Sequence, residues 1–128
     1  MRSENAFRAA ARLLLLFAVL IQASAHAQDV GCKDAATTAA MRNCENSRYQ
    51  KAEQQLNGEF GRLMKQLDPF RQQKLREAQR AWLAFRKANA EFAASAAAGG
   101  TLAPLIRAAT LADMTEARIT ELRKMARQ

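Results

Sequence analysis

The sequence predicts an all-α fold, an antiparallel bundle of three main helices that carries one disulfide. Two observations lead to this prediction. After residue 33, apolar residues recur at every third or fourth position, which is helical spacing, while Val and Ile are scarce and Ala and Leu abundant. The chain has 128 residues, of which 49% are hydrophobic. That length and composition support one compact domain rather than two.

Residues 1–27 have the features of a secretory signal peptide. Three arginines precede an unbroken apolar run at residues 13–21, and residues 23–27 read ASAHA, a small-x-small cleavage pattern. A buried or amphipathic helix is the alternative, but nothing polar interrupts the run. The run is also shorter than the ~20 residues that a transmembrane helix needs. We therefore expect residues 28–128 to form a periplasmic or secreted domain with no transmembrane anchor after cleavage.

The only cysteines are Cys32 and Cys44. Export places them in an oxidising compartment, where a disulfide forms and persists. Their spacing differs from the C-x-x-C of redox enzymes, and two thiols cannot by themselves complete a zinc site. Acylation of Cys32 as a lipoprotein is disfavoured, because Asp29 stands where such signals carry Leu or a similar residue. The sequence therefore predicts a structural Cys32–Cys44 bridge.

Loss of residues 1–27 removes the only histidine and leaves 17 basic and 11 acidic residues, a net charge of +6. Without histidine the mature chain lacks the usual general base and the usual metal ligand. Most of its glutamates have Lys or Arg three or four residues away, the spacing of ordinary helix ion pairs rather than of glycosidase carboxylates. We expect no enzymatic activity, no cofactor and no metal. Nucleic-acid binding is also not expected, because most aromatic residues lie on apolar stripes.

The first helix is predicted from an apolar stripe, with Thr37 or Thr38 as its N-cap. The sequence is also compatible with a separate short helical turn over Thr38–Asn43. Gly58 and Gly61 lie inside the helix, where they either permit close approach of a neighbouring helix or weaken it locally. The stripe consists of Tyr49, Ala52, Leu56, Phe60, Leu63 and Leu67.

Asp68-Pro69 is a helix-start signal, so the second helix is predicted to begin there and to run antiparallel to the first. It continues through the alanines of residues 93–98 and stops at Gly99-Gly100. Its predicted core stripe is Leu75, Ala78, Trp82, Phe85 and Phe92.

Thr101 is the predicted cap of the third helix, and Pro104 falls within its first turn, where proline is tolerated. Its predicted buried side is Leu111, Met114, Leu122 and Met125.

Two sets of polar residues on the second helix are open to a structural or a functional interpretation. Gln79 and Arg86 lie along one edge of the Trp82 stripe, either as a hydrogen-bonded lock between helices or as a ligand site. Their candidate partners are Glu53, Asn57, Thr115 and Glu116. Three cations share an outer face, either as plain solvated surface or as a site for anionic envelope polymers. These are Arg76, Arg80 and Lys87.

Residues 78–86 read Ala-Gln-x-x-Trp-x-x-x-Arg. With further residues spaced over nearly all of residues 32–122, this motif resembles the LprI-like lysozyme-inhibitor family of small exported helical proteins. It implies a helical fold and the inhibition of a lysozyme-type muramidase by direct binding. The family-motif residues, which the resemblance implies to be mainly structural, are Tyr49, Leu56, Asn57, Gln79, Trp82, Arg86, Thr115 and Arg118.

The positive charge of the mature chain conflicts with inhibition steered at long range, because animal lysozymes are also cationic. Inhibition then requires a specific insertion with local complementarity. The candidate is the Gly99-Gly100-Thr101 turn, since bare backbone can enter a narrow cleft. The alternative for this turn is a plain helix stop. The alternative for the whole protein is an accessory envelope protein whose basic face binds anionic glycans or lipids.

Overall fold

The computed structural model describes residues 31–128, and in this part of the chain every regular element is a helix. A 3₁₀ turn, Cys32–Asp34, precedes α1 (Thr38–Met64), α2 (Pro69–Ser95) and α3 (Leu102–Met125). The predicted three-helix bundle with one disulfide is therefore confirmed. The predicted signal peptide and its cleavage site lie outside the described residues.

The helix starts show which capping signals operate. Thr37 accepts a hydrogen bond from the backbone N–H of Ala40 at 3.1 Å, and Asp68 accepts one from Arg71 at 3.0 Å. Both satisfy backbone donors that a helix leaves free at its first turn. Thr101 occupies the N-cap position of α3, but its side chain makes no capping bond. Thr101 was therefore correctly predicted as the N-cap residue of α3, but it does not make the hydrogen bond expected of a cap.

The extra N-terminal turn lies earlier in the chain than the sequence suggested. It is formed by Cys32–Asp34, while Thr38–Asn43 is simply the beginning of α1. The Cys32–Cys44 disulfide, with a Cα–Cα distance of 5.4 Å, ties this turn to α1. It thereby fixes the segment that leads into the bundle.

The hydrophobic core forms where α3 packs against both α1 and α2. Leu56 and Leu122 are almost completely buried at its centre. Trp82 and Phe60 pack against this cluster from partly exposed positions. Towards the other end of α2, buried residues are alanines. The buried core cluster is Ala52, Leu56, Leu63, Leu75, Ile119 and Leu122.

The predicted core stripe of α2 is wrong for most of its members. Leu75 is buried and Trp82 half-buried, but Ala78 is exposed, and Phe85 and Phe92 are 59% and 78% exposed. The helix instead turns inward a face with two polar side chains, which bind partners on the other helices, while the buried Nε of Arg86 makes no hydrogen bond within residues 31–128. This buried face is Leu75, Gln79, Arg86, Ala90 and Ala94.

The predicted buried side of α3 needs correction, and the structure decides between the two alternatives for the glycines of α1. On α3, Leu111 and Leu122 are buried as expected, but Met114 is only half-buried and Met125 is 39% exposed. On α1, a Cβ added at Gly58 or Gly61 would meet no heavy atom within 4 Å. Neither glycine therefore serves close helix packing, and their effect is a local loss of helix propensity.

The α2–α3 connection begins earlier than the glycines. Regular helix ends at Ser95, and residues 96–98 continue as hydrogen-bonded turns. Gly99 then adopts a φ of +80°, a left-handed conformation that favours glycine. This residue reverses the chain into α3.

Candidate functional site

Arg86 is the centre of a buried polar network that joins the three helices. Its guanidinium Nη1 donates to Glu53 of α1 and to the hydroxyl of Thr115 of α3, the latter at 2.8 Å. The Thr115 hydroxyl in turn donates to the carbonyl oxygen of Leu111 at 2.6 Å. Arg86 is only 7% exposed and Thr115 is fully buried, so the bond between them is made away from solvent, whereas Glu53 is half-buried.

Two guanidinium groups lie over the indole ring of Trp82. The Cζ atoms of Arg86 and Arg118 are 4.8 Å and 5.6 Å from the ring centroid, within cation–π range. Arg118 Nε also donates to Gln79 Oε1 at 3.1 Å. The ring of Tyr49 lies 5.3 Å from the Arg86 Cζ. Aromatic faces and oxygen acceptors thus share the stabilisation of two buried cations.

The network differs from the sequence-based expectation in its partners. Glu53 and Thr115 do bind Arg86, but Asn57 is exposed and Glu116 pairs with Arg48 instead. The partner of Gln79 is Arg118, which the stripe analysis of α3 did not single out. Its only sequence signal was the family motif, because the pairing depends on how α2 and α3 face each other.

A second cluster joins α1 to α3 around Arg48. Its guanidinium pairs with Glu45 at 2.7 Å and Glu116 at 2.9 Å, and with Asp113. Partial burial acts to lower the pKa of Arg48, but the hydrogen bond to Asp113 and the neighbouring carboxylates outweigh it and raise that pKa. The cluster therefore holds a permanent cation among three carboxylates.

Glu59 forms a third link between the same helices. It accepts hydrogen bonds from Arg123 at 2.8 Å and from Arg62 at 2.6 Å. These bonds lower the pKa of Glu59 below its ordinary value. Because Arg123 belongs to α3, ionised Glu59 stabilises the tertiary contact as well as its own helix.

The Gly99-Gly100-Thr101 turn lies at the end of the bundle where α1 begins. All three residues are exposed. A groove of about 480 Å³ beside the turn is lined by Thr101 and by Arg42 of α1. Arg107 at the start of α3 donates to Glu91 near the end of α2 at 2.6 Å. This ion pair holds the helices on both sides of the turn.

Two large apolar side chains that are close to this turn in the sequence are exposed. Phe92 is 78% exposed in the last turn of α2, and Leu102, the first residue of α3, is 51% exposed. Exposed aromatic groups flanked by polar residues are characteristic of protein-binding surfaces. We call Arg42, Phe92 and residues 99–102 the turn-end surface.

Comparison with known protein families identifies the family of this chain. The family model for the lysozyme inhibitor LprI matches residues 32–122. The chain belongs to the LprI lysozyme inhibitor family. It is also 25% identical to an uncharacterized protein of Rhizobium meliloti (strain 1021), over 91% of this chain and 94% of that protein. No solved structure matches the chain.

Most motif residues of the LprI resemblance lie inside the bundle. Leu56 is in the hydrophobic core, and the polar and aromatic members other than Asn57 form the Arg86 network. Five of the eight motif residues are buried, whereas Tyr49 and Trp82 are half-buried and Asn57 is exposed. The turn-end surface, in contrast, is exposed.

The basic face of α2 is exposed, as the sequence suggested. Arg76, Arg80 and Lys87 are all solvent-exposed, and none of them belongs to an ion pair among residues 31–128. Within the same residues no group of three or more His, Cys, Asp or Glu side chains is arranged so that it could hold a metal ion. No helix in this part of the chain combines the length and apolarity required to cross a bilayer.

Proposed function

We propose that this protein is an exported inhibitor that binds a lysozyme-type muramidase directly and performs no chemistry of its own. Membership of the LprI lysozyme inhibitor family carries the proposal. The Cys32–Cys44 disulfide supports export, because such bonds persist in oxidising compartments. The muramidase partner is inferred from the family, and the surface that meets it from the exposure of the described residues.

We assign the contact to the turn-end surface. Glycoside hydrolases of this kind place two carboxylates beside the bond they cleave. Arg42 is an exposed cation beside the Gly99-Gly100-Thr101 turn, so its charge complements such a cleft locally. Phe92 and Leu102, close to the turn in sequence, add exposed apolar area. This local match overcomes the repulsion that a net charge of +6 produces at long range against a cationic enzyme.

The decisive experiment measures lysis of bacterial cell walls by several lysozyme types as the purified protein is added. We expect a dose-dependent fall in lytic rate for at least one type. An unchanged rate for every type at a large molar excess would contradict the proposal.

Two matched pairs of variants test the assigned surface. Arg42→Glu and Phe92→Ala should weaken inhibition, because each removes an exposed contact group. Lys65→Glu and Phe70→Ala make the same changes at exposed positions near the opposite end of the bundle, and should inhibit like the natural protein. Equal losses from both members of each pair would exclude the turn-end surface.

A second function is supported by the exposed basic face. Arg76, Arg80 and Lys87 are free to attract anionic glycans or lipids of the cell envelope. Salt-sensitive retention on lipopolysaccharide, lost when all three are changed to Glu, is the expected result. Unchanged retention of the triple variant would exclude this face.

A further inference from the structure

A cavity lies at the end of the bundle opposite to the turn-end surface. It is formed where α1 ends, α2 begins and α3 ends, and its volume is about 300 Å³. Leu67, Leu75 and Met125 give it an apolar floor. The size lies at the lower limit for ligand pockets, which suits one slender molecule.

Three cations line the same cavity, namely Arg71, Lys74 and Arg118, and its lining contains no acidic side chain. Arg71 and Lys74 are exposed on the first turns of α2, whereas Arg118 is only 8% exposed. An apolar floor bordered by cations is complementary to an amphiphile whose head group is an anion.

The charges near the cavity are only partly neutralised. Lys74 pairs with Glu77 at 3.1 Å and Arg118 with Glu121 at 2.8 Å. Both carboxylates are exposed and lie outside the lining. Arg71 forms no ion pair among residues 31–128. The guanidinium of Arg71 is therefore unpaired within this part of the chain, and the nearby carboxylate of Asp68 is engaged by the Arg71 backbone N–H at 3.0 Å.

We propose that this cavity binds a single-chain fatty carboxylate, with the carboxylate at Arg71 and Lys74 and the alkyl chain over the leucine floor. A carboxylate matches the planar donor pair of an arginine side chain. Burial of the chain against Leu67 and Leu75 supplies the apolar part of the affinity. The proposal is independent of muramidase inhibition, because it uses the other end of the bundle.

Trp82 provides a built-in reporter. It is the only tryptophan of the sequence, and its ring lies 5.6 Å from the guanidinium of Arg118, which lines the cavity. Titration of the purified protein with dodecanoate below its micelle concentration should change the Trp82 emission. Isothermal titration calorimetry measures the same binding directly. Dodecanoate binding is therefore tested even when the Trp82 emission does not change.

The specificity of the head group separates this proposal from simple hydrophobic adsorption. Dodecanoate should bind, whereas dodecyltrimethylammonium and dodecyl maltoside should bind much more weakly. Equal affinity for the three amphiphiles, or no heat of binding with dodecanoate, would overturn the proposal.

A matched pair of double variants tests the location. Arg71→Glu with Lys74→Glu should weaken dodecanoate binding about tenfold or more, the effect of losing one charge-assisted hydrogen bond. Lys33→Glu with Lys51→Glu makes the same charge change on exposed residues outside the cavity. Its affinity should stay within a factor of about three, because only long-range attraction changes. Equal losses in the two variants would show attraction to net charge alone and would refute the site.

Discussion

The guanidinium of Arg86 donates a hydrogen bond to the hydroxyl of Thr115 at 2.8 Å, inside the bundle and between α2 and α3. The same nitrogen also binds Glu53 of α1. One side chain therefore connects all three helices. A buried cation of this kind tolerates no loss of its partners, because an unsatisfied buried polar group costs more than a made bond contributes.

Replacement of Thr115 by valine should destabilise the protein by about 1–3 kcal/mol, because Arg86 loses an acceptor that no solvent can replace. The shape of the side chain is nearly conserved, so packing changes little. Urea unfolding followed by circular dichroism measures the free energy of unfolding. The control is Thr120→Val, since Thr120 is exposed and bonds only within its own helix. A Thr115→Val protein as stable as this control would refute the role of the network.

Gly58→Ala should stabilise the protein by about 0.5–1 kcal/mol, because alanine restricts the unfolded chain and favours a helix. The site has room, since an added Cβ meets nothing within 4 Å. Gly99→Ala should act in the opposite direction, because Gly99 has a φ of +80°. Thermal unfolding of both variants gives the comparison, and a destabilising Gly58→Ala would contradict the packing described for α1.

Replacement of Cys32 and Cys44 together by serine should lower the free energy of unfolding by about 2–3 kcal/mol, the contribution of a short closed loop in the chain-entropy model. The helices themselves should remain, because the bridge joins a 3₁₀ turn to one helix and crosses no helix–helix interface. Denaturant unfolding with and without reductant measures the effect. Free thiols in the purified native protein would contradict the assignment.

Glu59 should make stability depend on acid pH. Its pKa is lowered in the folded protein by the bonds from Arg123 and Arg62. The folded state therefore binds this proton more weakly than the unfolded state. The resulting stabilisation is complete above the ordinary glutamate pKa of about 4.3 and is lost as the pH falls through the lower folded value.

Glu59→Gln should consequently be less stable than the natural protein at pH 7, with a difference that shrinks towards pH 3. Glu77→Gln should show the same trend, because the pKa of Glu77 is also lowered, first by its bond from Lys74. Melting temperatures across this pH range provide the measurement. If the difference in melting temperature between the natural protein and Glu59→Gln stayed constant from pH 7 to pH 3, the proposed linkage would be ruled out.

Local signals predicted the architecture well. Thr37 and the Asp68-Pro69 pair marked helix starts because capping depends on neighbouring residues only. The Cys32–Cys44 bridge was predicted because no other cysteine competes. Such features need no knowledge of how the helices face each other.

The orientation of α2 could not be predicted in the same way. Phe85 and Phe92 fit an apolar stripe, yet Gln79 and Arg86 are the residues that turn inward. Their burial depends on oxygen acceptors and aromatic faces supplied by the other helices, which apolar periodicity does not register. The approach of Arg42 to the Gly99–Thr101 turn likewise follows from the bundle topology, in which the start of α1 and the α2–α3 connection share one end.

The most direct test of the central claim is the steady-state kinetics of a susceptible muramidase acting on soluble peptidoglycan fragments at several concentrations of this protein. Occupation of the glycan cleft by the turn-end surface predicts that the apparent KM rises with inhibitor concentration while kcat stays constant. A fall in kcat with an unchanged KM, or no effect on either constant, would contradict it.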